Sequence, residues 1–194
     1  MTHDVRRLME DNHVELRALR LRALAEEPTA FGSTHAREEA FPESEWRSRL
    51  RPDGNPHYGG FDGTGALVGL CVGALDPVDP HVADLLAMWV DPPSRGTGLA
   101  ADLVRSVITW ASQQGCRTIR LHVTDGNARA EALYRRLGFT RTGRTAVRGR
   151  DAALEIEMGS LVQPSETGNP TVIPPPDQFY TGLVATAYGP LRGA

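Results

Sequence analysis

Lysine is absent from this sequence; all 21 basic side chains are arginine. Chemistry that needs a lysine is excluded: a Schiff base, a Walker-type phosphate lysine, a kinase lysine. Abundant Arg and Ala beside scarce Ile point to genomic base composition as the origin of the bias. Cysteine is nearly absent too, and Cys71 and Cys116 make neither a disulfide framework nor a zinc site. No basic excess exists: the formal net charge is −3, which argues against nucleic acid as a partner. Long apolar runs are missing. The longest, Ala66 to Leu75, falls far short of the roughly 20 residues of a spanning helix, so no membrane partner is expected. Residues 1–11 carry no apolar signal region, and a cytoplasmic location is the expectation.

What is present fits one domain of 194 residues with a tail. Val5 to Leu8 reads as a short strand. Asp11 or Asn12 caps a helix with Leu16, Leu19, Ala23 and Leu24 on one stripe, ended at Pro28. A second helical stretch starts at Ser33 and breaks near Pro42, which fits as the first helical residue of the piece running to Leu50. Tyr58–Asp62 and Ala66–Leu75 form a hairpin around Gly63-Thr64-Gly65. Leu85–Val90 is a strand, Leu99–Gln114 a helix with Leu99, Leu103, Val107 and Trp110 on one face, and Thr118–Val123 a strand. Asn127 caps a helix ending at Gly138, and a last hairpin joins Phe139–Val147 to Ala152–Leu161. The stretch from Gln163 on holds six of the 14 prolines and three charged residues. It reads as extended, with an apolar end that could dock on the domain or on a second subunit, so a homodimer is left open.

Two segments carry chemistry. In the first, residues 85–100, a strand runs through Val90-Asp91-Pro92-Pro93-Ser94-Arg95-Gly96-Thr97-Gly98 into a helix. Gly96 and Gly98 permit positive φ, and the free N–H groups of the helix start make an anion site suited to a pyrophosphate. Without lysine this is no Walker loop, and Ala101 breaks the dinucleotide fingerprint. In the second segment, Asn127 to Phe139, Ala130, Leu133, Tyr134 and Leu137 share one helical face, which turns Tyr134 inward. Alone, each segment reads as easily as structure: a glycine turn before a helix, and a core tyrosine.

Together the two segments resemble the GNAT superfamily of acyl-CoA-dependent N-acetyltransferases, over roughly Leu67 to Leu161. The resemblance implies an α/β GNAT fold: a mixed central sheet of about six to seven strands flanked by about four helices. The domain would cover residues 1–161, with a Pro-rich tail over 162–194. Acetyl-CoA is the implied cosubstrate, and no metal is implied. Its pyrophosphate would sit on Arg95, Gly96, Thr97, Gly98, Leu99 and Ala100, although the family's Gln or Arg at the loop start is Pro93 here, which has no N–H. Its pantetheine arm would run along Met88 and Val90 and meet Asn127 and Ala130. The N–H of Met88 would face the developing oxyanion, and Tyr134 would protonate the leaving thiolate.

The general base is left open. His122 occupies a position similar to that of a catalytic glutamate in some family members, and its ordinary pKa suits the task. Glu39, its neighbour Glu38, and Asp84 are alternatives, each readable as an ordinary surface or core side chain. Six arginines between Arg135 and Arg150 read as a solvated face or as ligands for an anion. The implied function is acetyl transfer to the primary amine of a small molecule by direct attack in a ternary complex. Alternatives are an N-terminal acetyltransferase acting on protein or peptide, a non-catalytic acyl-CoA-binding module, or a scaffold working through its tail.

Overall fold

The computed structural model describes residues 2–165. It holds β1 (Asp4–Arg7), α1 (His13–Glu26), α2 (His35–Glu39), α3 (Glu43–Ser48), β2 (His57–Phe61), β3 (Leu67–Leu75), β4 (Val82–Val90), α4 (Leu99–Gln113), β5 (Thr118–Thr124), α5 (Ala128–Arg136), β6 (Thr140–Val147) and β7 (Leu154–Leu161). The seven strands form one sheet in the order β1-β2-β3-β4-β5-β7-β6. Every pairing is antiparallel except β4 with β5. The α/β class and the mixed sheet match expectation. Most of the proline-rich stretch lies outside the described residues.

Side-chain alternation sends the strands' apolar groups to two separate cores. Leu70 and Val72 pack with α1–α3 around Leu16, Leu19, Leu24 and Trp46. Cys71 turns the other way and joins the larger core of Leu99, Leu103, Val107, Ile119, Leu121, Val123, Tyr134 and Met158 under α4 and α5. On β5 the apolar residues thus face α4 and α5, while Arg120, His122 and Thr124 take the opposite face.

Local chemistry adjusts several expected boundaries. Asn12 stands at the start of α1 but does not cap it; its Oδ1 instead accepts from the Met9 N–H at 3.1 Å. α2 starts at His35 rather than Ser33, because Thr34 caps it by accepting from the Arg37 N–H. Pro42 precedes α3 rather than opening it. β4 begins three residues before the apolar run because Val82, Ala83 and Asp84 pair with Thr118, Ile119 and Arg120. β7 inserts between β5 and β6, so the last hairpin joins the sheet by its second strand.

Two features open the sheet. The β4–β5 ladder ends at Asp84 and Arg120, although both strands continue. Ala87 has φ of +52°, and Leu86 and Trp89 of β4 oppose Val72 and Leu70 of β3, an irregularity that bends β4 where the ladder stops. Beyond this point β4 and β5 line opposite walls of a cleft.

Candidate active site

The cleft has a volume of about 810 Å³. One wall is the free edge of β4, Leu85 to Val90. The other is His122 to Thr124 of β5 with Asn127, Ala130, Leu133 and Tyr134 of α5. The loop after α1 with Phe31, the glycine-loop residues Arg95 and Gly96, Ala100 of α4, and Arg148 and Glu155 complete the lining. The structure therefore brings Met88, Val90, Arg95, Gly96, Ala100, Asn127, Ala130, Tyr134 and His122 to one cavity; Thr97, Gly98 and Leu99 do not line it, Leu99 being turned into the core.

The glycine loop adopts the geometry its residues suggest. Gly96 and Gly98 have φ of +80° and +95°, where a side chain would be strained, and a Cβ on Gly96 would meet open space. Thr97 donates its hydroxyl to the Ser94 carbonyl at 2.8 Å, which braces the turn. Helix α4 starts at Leu99, and its first internal bonds run from Ala101 and Asp102 back to the Gly98 carbonyl. Among the described residues the N–H groups of Gly96, Thr97, Gly98 and Ala100 have no main-chain acceptor. This cradle fits a pyrophosphate.

Arg95 sits differently from expectation. Its N–H is used by the Pro92 carbonyl, its Nε donates to the Val90 carbonyl at 2.8 Å, and its Nη2 pairs with Glu27. It thus ties the loop to β4 and to the end of α1. Asn127 caps α5, its Oδ1 accepting from the Ala130 N–H at 3.1 Å.

Tyr134 is 6% exposed and packs edge-on against Phe139 at 5.8 Å between ring centroids. Burial pushes its phenol well above the ordinary range, so the hydroxyl keeps its proton at neutral pH. Its hydroxyl has no hydrogen-bond partner among the described residues. His122 lies across the β5–β7 ladder from Glu157, with Nε2 at 3.8 Å from a Glu157 oxygen. Burial lowers its pKa; Arg120 acts the same way, and Glu157 and Asp84 oppose them without reversing the shift. A neutral imidazole in the cleft can accept a proton.

The other three candidate bases are not brought to the cavity. Glu38 is fully buried and held by Arg20 Nε and Nη2 and by Arg49 Nη1 at 2.9–3.2 Å. Burial raises its pKa, but the two guanidiniums more than offset that and hold the carboxyl below its ordinary value. Glu39 projects from the opposite side of α2, its side chain 60% exposed and 3.6 Å from His35. Asp84 accepts from Arg120 at 2.6 Å in a buried group that also contains Asp76.

Two cleft residues carry no local signal in the sequence. Arg148 is buried, unlike the exposed Arg135, Arg136, Arg141 and Arg144 of the same run. Asp151 binds it through two nitrogens at 2.9 and 3.1 Å, and Nη1 reaches Glu155 Oε1 at 3.3 Å. Glu155 is 9% exposed. Nearby, Arg150 donates to the Pro28 carbonyl at 2.6 Å, joining the β6–β7 turn to the loop after α1.

Residues 19–139 match the model of the acetyltransferase (GNAT) family. The chain is 37% identical to human N-acetyltransferase 8B over 78 residues, 38% of this chain and 34% of that one. It is 38% identical to mycothiol acetyltransferase of Amycolatopsis mediterranei over 61 residues, 31% of this chain and 20% of that one. It thus spans about a third or less of these relatives' length. Its fold is similar to a GNAT superfamily phosphinothricin acetyltransferase from Sinorhizobium meliloti solved in complex with AcCoA. The TM-score is 0.70 at 18% identity, over 93% of this chain and 99% of that one.

Proposed function

Since the chain belongs to the acetyltransferase (GNAT) family, we propose that it transfers an acetyl group from acetyl-CoA to the primary amine of a small molecule, by direct attack in a ternary complex. The observation that carries this reading is the convergence of Gly96 and Ala100 of the glycine loop, the free β4 edge, Tyr134 and His122 on one cavity.

In this reading the N–H groups of Gly96, Thr97, Gly98 and Ala100 hold the pyrophosphate, while the Leu99 N–H turns to the Thr97 hydroxyl. Met88 and Val90 offer main-chain groups along the gap left by the short β4–β5 ladder, and the pantetheine arm fills that gap as a strand would. Asn127 and Ala130 flank it from α5. The Met88 N–H faces the thioester oxygen as it gains charge, worth about 3 kcal/mol for a well-aimed donor. His122 takes a proton from the acceptor ammonium, and the amine nitrogen attacks the carbonyl carbon. Tyr134 gives its proton to the departing sulfur. Arg95 contributes by fixing the loop against β4 and Glu27 rather than by a free charge.

The test measures free CoA released from acetyl-CoA with a panel of amines: n-butylamine, phenethylamine, tyramine, histamine, spermidine and glycinamide. Amine-dependent release is expected. Tyr134→Phe lowers turnover at least about tenfold and leaves acetyl-CoA binding unchanged by calorimetry. Binding of acetyl-CoA without release in any reaction would sink the enzyme reading in favour of a binding module.

A further inference from the structure

Glu155 is a carboxylate that the fold holds in the cleft without fully using it. It stands on β7 opposite Thr124 of β5, and the next pair on the same face of the ladder is His122 with Glu157. Residues two apart on a strand share a face, so Glu155 and His122 are diagonal neighbours, about 7–8 Å apart at Cα. Both border the cavity. One nitrogen hydrogen-bonded to both side chains at about 2.9 Å fits such a span.

The partners of Glu155 leave it under-compensated. Arg148 reaches Oε1 at 3.3 Å, but its other nitrogens are taken by Asp151, which Arg150 also shares. Oε2 has no protein hydrogen bond among the described residues. Oε2 is not sealed from solvent, so an N–H donor entering the cleft can reach it. Burial raises the carboxyl's pKa, and Asp151 adds to this against the pull of Arg148. The cleft lining otherwise carries Glu26, the Arg95-paired Glu27 and the arginines Arg20, Arg129 and Arg136, so it is the Glu155 carboxylate, not the overall charge of the lining, that would select a cation.

We propose that Glu155 is the acceptor-binding carboxylate, its Oε2 receiving an N–H of the incoming primary ammonium and holding that nitrogen beside His122. This rests on the acetyltransferase reading above and narrows its acceptor to amines that arrive as cations. An ammonium has three donors. One goes to Glu155 and one to His122, which removes its proton. The freed lone pair forms the N–C bond, and the C–S bond breaks with its electrons on sulfur. Sulfur takes the Tyr134 proton, and the second proton lost from nitrogen restores Tyr134. One proton is released per turnover, through His122.

The experiment uses the panel amine with the fastest wild-type turnover and its alcohol isostere as a competitive inhibitor. Wild type should bind the amine at least about tenfold more tightly than the alcohol. In Glu155→Gln the acceptor KM should rise about tenfold or more while the acetyl-CoA KM stays within about twofold and the preference for the cation disappears. Glu155→Asp should restore part of it. An unchanged acceptor KM, or equal losses for amine and alcohol, would overturn the assignment, the latter marking a structural role through Arg148. Equal wild-type affinity for amine and alcohol overturns it without any variant. Absence of CoA release from wild type with every amine overturns the acetyltransferase reading itself, and the Glu155 assignment with it.

Discussion

Glu38 and Glu155 are both buried carboxylates facing arginine, and they differ in how completely they are answered. Glu38 sits under α1 with two guanidiniums on its two oxygens, and its pKa is held down. Glu155 sits in the cleft with one long contact, and its pKa is pushed up. The first arrangement closes on itself and can only support the fold. The second leaves an oxygen for something else. Glu38 is sealed at 0% exposure while Glu155, at 9%, borders the cleft, so partner count and access together separate a structural acid from a binding one.

Stability should show the largest contrast. Glu38→Ala leaves Arg20 and Arg49 buried together and should cost about 3–5 kcal/mol, read by urea unfolding. Glu155→Gln removes an acid whose charge the fold disfavours and should change stability by no more than about 0.5 kcal/mol. Similar losses in both variants would break the comparison. The pH dependence has opposite signs. Glu38 has a folded pKa below its ordinary 4.5, so its contribution is complete above that value and is lost as pH falls through the folded value. Glu155 has a folded pKa above its ordinary 4.5, so its contribution is present below that value and fades as pH rises through the folded one.

A smaller effect concerns His122. Its pKa lies below the ordinary 6.5, so acetyl transfer should fall only as pH drops through that lowered value. His122→Gln should lower kcat/KM at neutral pH about a hundredfold and flatten this acidic limb; a limb that persists would assign it to another group. The smallest effect belongs to Glu39. Exposed beside His35 and away from the cavity, it should tolerate Glu39→Gln with initial rates within about twofold of wild type.

These contrasts also mark what could be read from the chain alone. The stripe of Leu99, Leu103 and Val107, the glycine turn before it and the inward Tyr134 are all set within a few residues, and they stand where periodicity puts them. Arg20 was invisible by the same logic: it lies between Leu19 and Ala23 on α1, and only the distant Glu38 makes its burial tolerable. Glu155 carries no signal in the sequence, and Arg148, one of six arginines read together as a solvated face or anion ligands, is instead buried against Asp151 and Glu155, for a related reason. The alternation of Leu154 to Leu161 marks a strand with one polar face, but whether that face meets solvent or a cleft depends on β7 lying beside β5, a pairing between segments about 30 residues apart. Likewise, sequence offers the adjacent Glu39 and Glu38 as candidates, Glu39 first, and the helical turn of α2 puts Glu38 inside and Glu39 outside.

The bond from Arg150 to the Pro28 carbonyl has a topological consequence. It closes a loop through space, pinning the turn between the last two strands to the segment after α1, 122 residues earlier in the chain, so the two segments cannot part without breaking it.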